Sequence, residues 1–239
     1  LRMEKMAKQS SVTSISIGVG LATGLYGVSF GALSVAAGLD IWQTQVLSLL
    51  MFSGGSQFAF VGVIAAAGGA GVASAGVGAA IISAWLLGIR NGFYAVRLAP
   101  ILKRVGLAKL IPAMLTIDES TAVATAQKNE ADQVKGFWIT GIAVFVFWNL
   151  MTLAGAILGD ALGDPSTWGL DAAAAAAFLG LLWPRLAERQ ALAVGAAALV
   201  IATAATPFLS AGIPVLLAGI SAVVVGFFNW FSPRKGLGK

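Results

Sequence analysis

The stretches that lack Asp, Glu, Lys and Arg limit what this chain can become. Gln9 to Leu39, Ile41 to Ile89, Gly136 to Gly159 and Gln190 to Ser232 are uncharged throughout. An α-helix crosses the hydrocarbon core of a bilayer in about 20 apolar residues, so every stretch holds one crossing and the longer ones hold two. A soluble core is no alternative home. The chain is 58% hydrophobic and 10% charged, where soluble domains carry roughly 25% charged residues. A protein this small cannot bury that much apolar surface within itself. The expected fold is an all-α integral membrane protein of about seven transmembrane helices, forming a single transmembrane domain over 1–239.

The first span follows the basic start Arg2 to Lys8. Its uncharged run far exceeds the roughly 7–15 residues of a signal-peptide core, so it is read as a retained helix. Two spans fit between Asp40 and Arg90, with Gly68-Gly-Ala-Gly71 as the turn. From Arg90 to Lys135 both signs of charge alternate, which reads as loops and one or two amphipathic interfacial helices. Gly136 to Gly159 is the fourth span, Pro165 to Pro184 with Asp171 inside it the fifth, and the last uncharged run supplies two more, broken near Pro207–Pro214. The net charge of +5 reads as cytoplasmic-loop charge and not as a nucleic-acid footprint, because no dense basic run exists. Placing Arg90–Lys135, Arg185/Arg189 and the C-terminal tail in the cytoplasm puts the N-terminus outside. Arg2, Lys5 and Lys8 disagree, and the alternative is a cytoplasmic N-terminus with one re-entrant segment.

Two internal patterns stand out. Gly20, Gly24, Gly27 and Gly31, and again Gly155, Gly159 and Gly163, recur at spacings that let helices approach closely in lipid. Gly38-Leu39-Asp40 and Gly169-Leu170-Asp171 open segments that meet helix breakers at the same distance, Ser53-Gly54-Gly55 in one and Pro184 in the other. This pattern predicts an inverted repeat with interrupted helices, its halves 12–95 and 136–207 joined by the charged segment 96–135. In transporters built this way the substrate sits at the breaks.

The chain has no His and no Cys, which excludes catalytic triads, zinc clusters and disulfides. No Walker motif is present. No enzyme activity, metal or cofactor is expected. The chemistry instead concentrates at Ser53-Gly-Gly-Ser-Gln-Phe58, polar groups deep in an apolar run. Such groups need partners inside the protein or on a ligand. Gly54-Gly55 can free backbone groups for an amino-acid zwitterion, with Phe52, Phe58 and Phe60 as an apolar wall, while the bland reading has Ser53, Ser56 and Gln57 bridging helices. Arg90 and Tyr94 share a helix face. Arg90 either binds a substrate carboxylate, pairs with a buried acid, or anchors the third span at the interface. Asp118 and Glu119 either pair with Arg90 or Arg97, or relay protons if burial raises a pKa, or form a solvated helix start in which Thr116 and Glu119 make a capping box. Asp40 and Asp171 read as helix caps, and Asn149 beside Trp148 as a mid-span amide needing a partner.

Gly27-Val-Ser-Phe-Gly31, Phe52-Ser-Gly-Gly-Ser-Gln-Phe58, the Arg90…Tyr94…Pro100 stretch, Asp118-Glu119, and Gly169-Leu-Asp171 with Phe178-Leu179 together resemble AzlC-type proteins, the large subunits of bacterial branched-chain amino acid exporters. The resemblance implies export of Leu, Ile, Val and possibly Met by a multi-pass protein of the bacterial cytoplasmic (inner) membrane. It implies coupling to the proton motive force and a small AzlD-type membrane subunit as partner. Substrate contacts would fall to Ser53, Gly54, Gly55, Ser56, Gln57, Phe58, Arg90, Asn91 and Tyr94. Family members often carry His where this chain has Asn91, so proton coupling would fall to Asp118 or Glu119. The competing reading is a non-transporting membrane scaffold or assembly subunit.

Overall fold

A computed structural model describes residues 11–71, 76–162, 179, 182–209 and 213–231. The described residues are helical, without strands. Three helices are long and apolar enough to cross a membrane: α1 (Val12–Ala36), α4 (Val77–Leu102) and α7 (Glu130–Leu162). Between them lie two pairs of short helices, α2 (Ile41–Leu50) with α3 (Gly54–Ala66), and α5 (Leu110–Met114) with α6 (Asp118–Ala126). The chain continues into α8 (Arg189–Ala205) and α9 (Ile213–Phe227).

The glycine stripe of α1 lies against α7. A Cβ on Gly20 would come 2.6 Å from the Ala143 Cβ, and one on Gly24 2.5 Å from the Phe147 Cβ. Gly27 meets Met151 and the Trp148 carbonyl, and Gly31 meets Thr152 and Gly155. From the other side, Gly155 and Gly159 face Val28 and Ala32. The paired numbers rise together, so the two helices run parallel. In lipid such contact is held by dispersion over a large matched surface, which only small residues permit. Gly163 lies outside the described residues.

The segment from Asp40 to Ala67, expected as a full crossing, is a re-entrant hairpin. Asp40 caps α2 in a reciprocal box with Gln43. The helix stops at Leu50, and Met51-Phe52-Ser53 is non-helical. α3 then returns to the side it came from, since the Gly71 N–H donates to the Ala37 carbonyl at 3.0 Å. The interruption thus precedes Gly54-Gly55, which open α3 and do not unwind it. The expected turn at 68–71 is present, with positive φ at all four residues.

Arg90 does not close its span. α4 runs twelve residues further, through Pro100, and Arg90 sits at its middle. The one or two helices expected within 90–135 are present, but not as a purely interfacial segment. α5 and α6 make a second hairpin, entering from the opposite side. Leu115 at its tip packs on Gly141, Val123 packs on Gly136, and Lys103 at the end of α4 pairs with Glu130 at the start of α7. Both tips therefore reach the middle of α7 from opposite ends.

The described residues hold an internal correspondence different from the expected one. Val12 and Val77 start the long helices, 65 positions apart. Gly38 and Lys103, also 65 apart, are the left-handed residues that follow these helices (φ +89° and +49°). Gly54 and Asp118, 64 apart, start the outgoing limbs. Each unit is a long helix followed by a broken hairpin, and the two units point in opposite directions. Gly169-Leu170-Asp171, on which the other pairing rested, and the expected fifth span with Asp171 and Trp168 lie outside the described residues, apart from its last few positions.

The expected count of about seven spans is thus met only in part: three long helices, two hairpins and the shorter α8 and α9 are described. The start of α1 touches Gly136 through Val12. The N-terminal end of α1 and the basic Lys103–Lys135 segment therefore share one face of the bundle. The re-entrant α2–α3 hairpin accounts for this, because α1 and α4 then cross in opposite directions.

Candidate functional site

Breaking a helix at membrane depth strands backbone groups, each costing several kcal/mol if unpaired (about 1–3 by protein measurements). Both tips solve this with a side chain from the outgoing limb. The Gln57 Nε2 donates to the Met51 carbonyl at 2.8 Å and the Ser48 carbonyl at 3.3 Å. In the second hairpin the Ser120 hydroxyl donates to the Leu115 carbonyl at 2.6 Å, and the Ile117 N–H donates back to it at 3.2 Å. Thr116 does not cap α6 through Glu119; its hydroxyl donates to the Pro112 carbonyl at 2.7 Å.

The tips enclose a cavity of about 280 Å³, near the lower end of the roughly 300–1,000 Å³ typical of small-molecule sites. One end is polar. Gly54 and Gly55 present the first turn of α3 there, and no side chain caps that helix start. Its unpaired N–H groups and dipole favour an anion. Arg90 borders the same end, close enough that a Cβ on Gly55 would lie 2.7 Å from its Nη2. Opposite stand Asp118 and Glu119. Each oxygen of Asp118 has one partner: Arg90 Nη2 lies 2.8 Å from one and the Tyr94 hydroxyl donates to the other at 2.7 Å, and the carboxylate still faces the cavity. Thr23 of α1 shares the cavity wall with Glu119. The remaining wall is apolar: Phe52, Phe58, Ile117, Val144 and Trp148, with Tyr26 at its rim.

The structure thus brings Ser53, Gly54, Gly55, Phe58, Arg90, Asp118 and Glu119 onto one cavity. It leaves four expected substrate contacts outside. Gln57 is fully buried and spends its amide on the α2 carbonyls and the Trp148 indole. Tyr94 donates to Asp118 from beside the cavity. Ser56 and Asn91 line a separate groove between α2 and α4 that opens beside the exposed Leu50 and Trp85. Asp118 and Glu119 do open a helix, α6, and both line the cavity part-exposed, with Asp118 paired to Arg90.

Sequence reasoning missed Thr23, Tyr26, Ile117 and Val144 as lining residues and gave Trp148 no role at the site. Trp148 did carry a signal: an indole N–H in the middle of a span needs an acceptor, and it finds the Gln57 Oε1 at 2.8 Å. The Asn149 side chain donates to the Phe145 carbonyl at 2.8 Å and accepts from Gln45 at 3.4 Å. Thr23 and Tyr26 carried no signal apart from the glycines around them.

Oppositely directed units with broken helices, meeting around a cavity that is charged at one end and apolar at the other, define a multi-pass membrane protein of the transport class. The family model for the AzlC protein matches residues 18–162. That is more than half of the chain, and it spans both hairpins and α7. The chain belongs to the AzlC family, a transport-related membrane family. No curated protein and no solved structure matches it.

Proposed function

We propose that this protein exports small apolar amino acids (Leu, Ile, Val and Met) across the bacterial cytoplasmic membrane. In this reading it is driven by the proton motive force and works with a small AzlD-type membrane subunit. The observation that carries the reading is the cavity between the hairpin tips. A zwitterion needs an anion site and a cation site a few ångströms apart. The α3 start with Arg90 is suited to the carboxylate, and Glu119 with Asp118 to the ammonium. Phe52, Phe58, Ile117, Val144 and Trp148 suit an aliphatic side chain. Because the two units run in opposite directions, rocking one hairpin against the other would open the site to each side in turn. The positive-inside rule puts the Lys103–Lys135 face, and with it the start of α1, in the cytoplasm.

A scaffold subunit has no need for a charged cavity at this depth, where ionisable side chains are costly. The test is leucine content in cells loaded with a leucine-containing peptide. Expression with the small subunit is expected to lower internal leucine several-fold, and a protonophore to abolish the difference. Equal leucine in expressing and non-expressing cells would refute export.

A further inference from the structure

We propose that the Trp148 indole, held by Gln57, is the fixed wall that limits the size of the side chain this site accepts. The proposal rests on the amino-acid reading above and adds to it which residue sets the cut-off.

Trp148 is buried, with 4% of its surface exposed, and it is held on three sides. Its Nε1–H donates to the Gln57 Oε1 at 2.8 Å. Its ring stacks on Phe30 at 6.1 Å, and Phe58 meets it edge-on at 6.2 Å. Gln57 cannot yield easily, because its Nε2 holds the carbonyls freed where α2 ends. Swinging the indole aside would strand its N–H and that amide oxygen in an apolar interior. A wall held this way does not adapt to its ligand.

The far edge of the indole faces the start of α3. A Cβ placed on Gly54 would meet Cη2 at 3.1 Å and Cζ2 at 3.5 Å. The indole edge thus packs on the glycine backbone and closes the cavity on this side, and Trp148 and Gly54 line it together. Aliphatic side chains meet a rigid, flat apolar surface, while aromatic ones must displace it. Gln57 lies outside the cavity and acts as a positioning residue.

The geometry predicts opposite effects from two substitutions. Trp148→Leu opens space where the indole stands, and Gly54→Ala adds a methyl group to the same wall, pressed against the indole. In proteoliposomes holding the protein with its small subunit, counterflow of leucine, valine and phenylalanine gives the kcat/KM ratios. Trp148→Leu is expected to shift the phenylalanine-to-leucine ratio upward by about 10-fold or more, the scale of one to two methylenes in an apolar pocket. Gly54→Ala is expected to shift the valine-to-leucine ratio upward. Gln57→Leu, which frees the indole but removes no wall, is expected to move the phenylalanine ratio in the same direction as Trp148→Leu and by less.

Loss of folding lowers all substrates together and cannot move two ratios in opposite senses of size. If the wild-type protein carries leucine and neither ratio moves in variants that still transport, the indole is not the sieve. If the wild-type protein carries no aliphatic amino acid, the transport reading fails and the sieve with it.

Discussion

Arg90→Ala is expected to lower leucine transport by about 100-fold while the protein still reaches the membrane. Two losses combine. The substrate carboxylate loses its cation, and Asp118 keeps only the Tyr94 hydroxyl. Breaking a buried ion pair costs about 3–5 kcal/mol. This pair is roughly a third exposed to the cavity, so about 1–3 kcal/mol is the fair range after screening. That penalty falls on stability; the transport loss comes from the substrate carboxylate, whose charged hydrogen bond is worth about 1.5–3 kcal/mol, or one to two decades at about 1.4 kcal/mol per tenfold. The double variant Arg90→Gln with Asp118→Asn removes both charges. It is expected to recover thermal stability in detergent and to remain inactive. Recovery of transport would mean that the pair only holds α4 to α6 and never touches substrate.

Gly155→Val is expected to abolish assembly of the bundle. A Cβ at this position would overlap the Val28 carbonyl of α1, and one on Gly31 would overlap the Thr152 carbonyl of α7. These neighbours are backbone, so no side chain can rotate away, and α1 must separate from α7. Overpacking of a tight interior costs roughly 1–3 kcal/mol per site and more where the backbone must move. Glycines elsewhere provide the control. A methyl group added at Gly18 or Gly78 would have nothing within 4 Å, so Gly18→Ala and Gly78→Ala should leave the melting temperature unchanged or slightly raised. Equal melting temperatures for Gly155→Val and Gly78→Ala would show that the stripe does not hold α1 to α7.

Composition made the membrane fold legible, because long uncharged runs have few physical alternatives. The glycine stripe was legible for the same reason, since spacing on a helix fixes which residues share a face. The break near Ser53 could be read from polar residues that an apolar run cannot accommodate unaided. The second hairpin could not be read in this way. Arg90, Asp118 and Glu119 look like residues that seek water, and a hydropathy argument pushes 90–135 to the surface. In the fold Arg90 pairs with Asp118, and Glu119 lines the same cavity between the tips. The two units share spacing and not sequence: Phe52-Ser-Gly-Gly-Ser and Thr116-Ile-Asp-Glu-Ser build equivalent tips from different side chains. Within these tips Ser56 and Ser120, 64 apart, are identical. Gln57 illustrates a further limit. Sequence marks it as a buried polar group in need of partners, but only the fold reveals that the partners are the α2 carbonyls and Trp148.

The transport reading stands or falls on substrate lying between the two hairpin tips. The chain has no cysteine, so single replacements Ser53→Cys and Ile117→Cys put one thiol on each tip, with Gly78→Cys on α4 as the reference. The rate of thiol modification by a small membrane-permeant reagent is then followed with and without saturating leucine. Leucine is expected to slow modification at 53 and 117 by about tenfold or more and to leave 78 unchanged. Identical rates at both tips with and without leucine would show that substrate does not bind there.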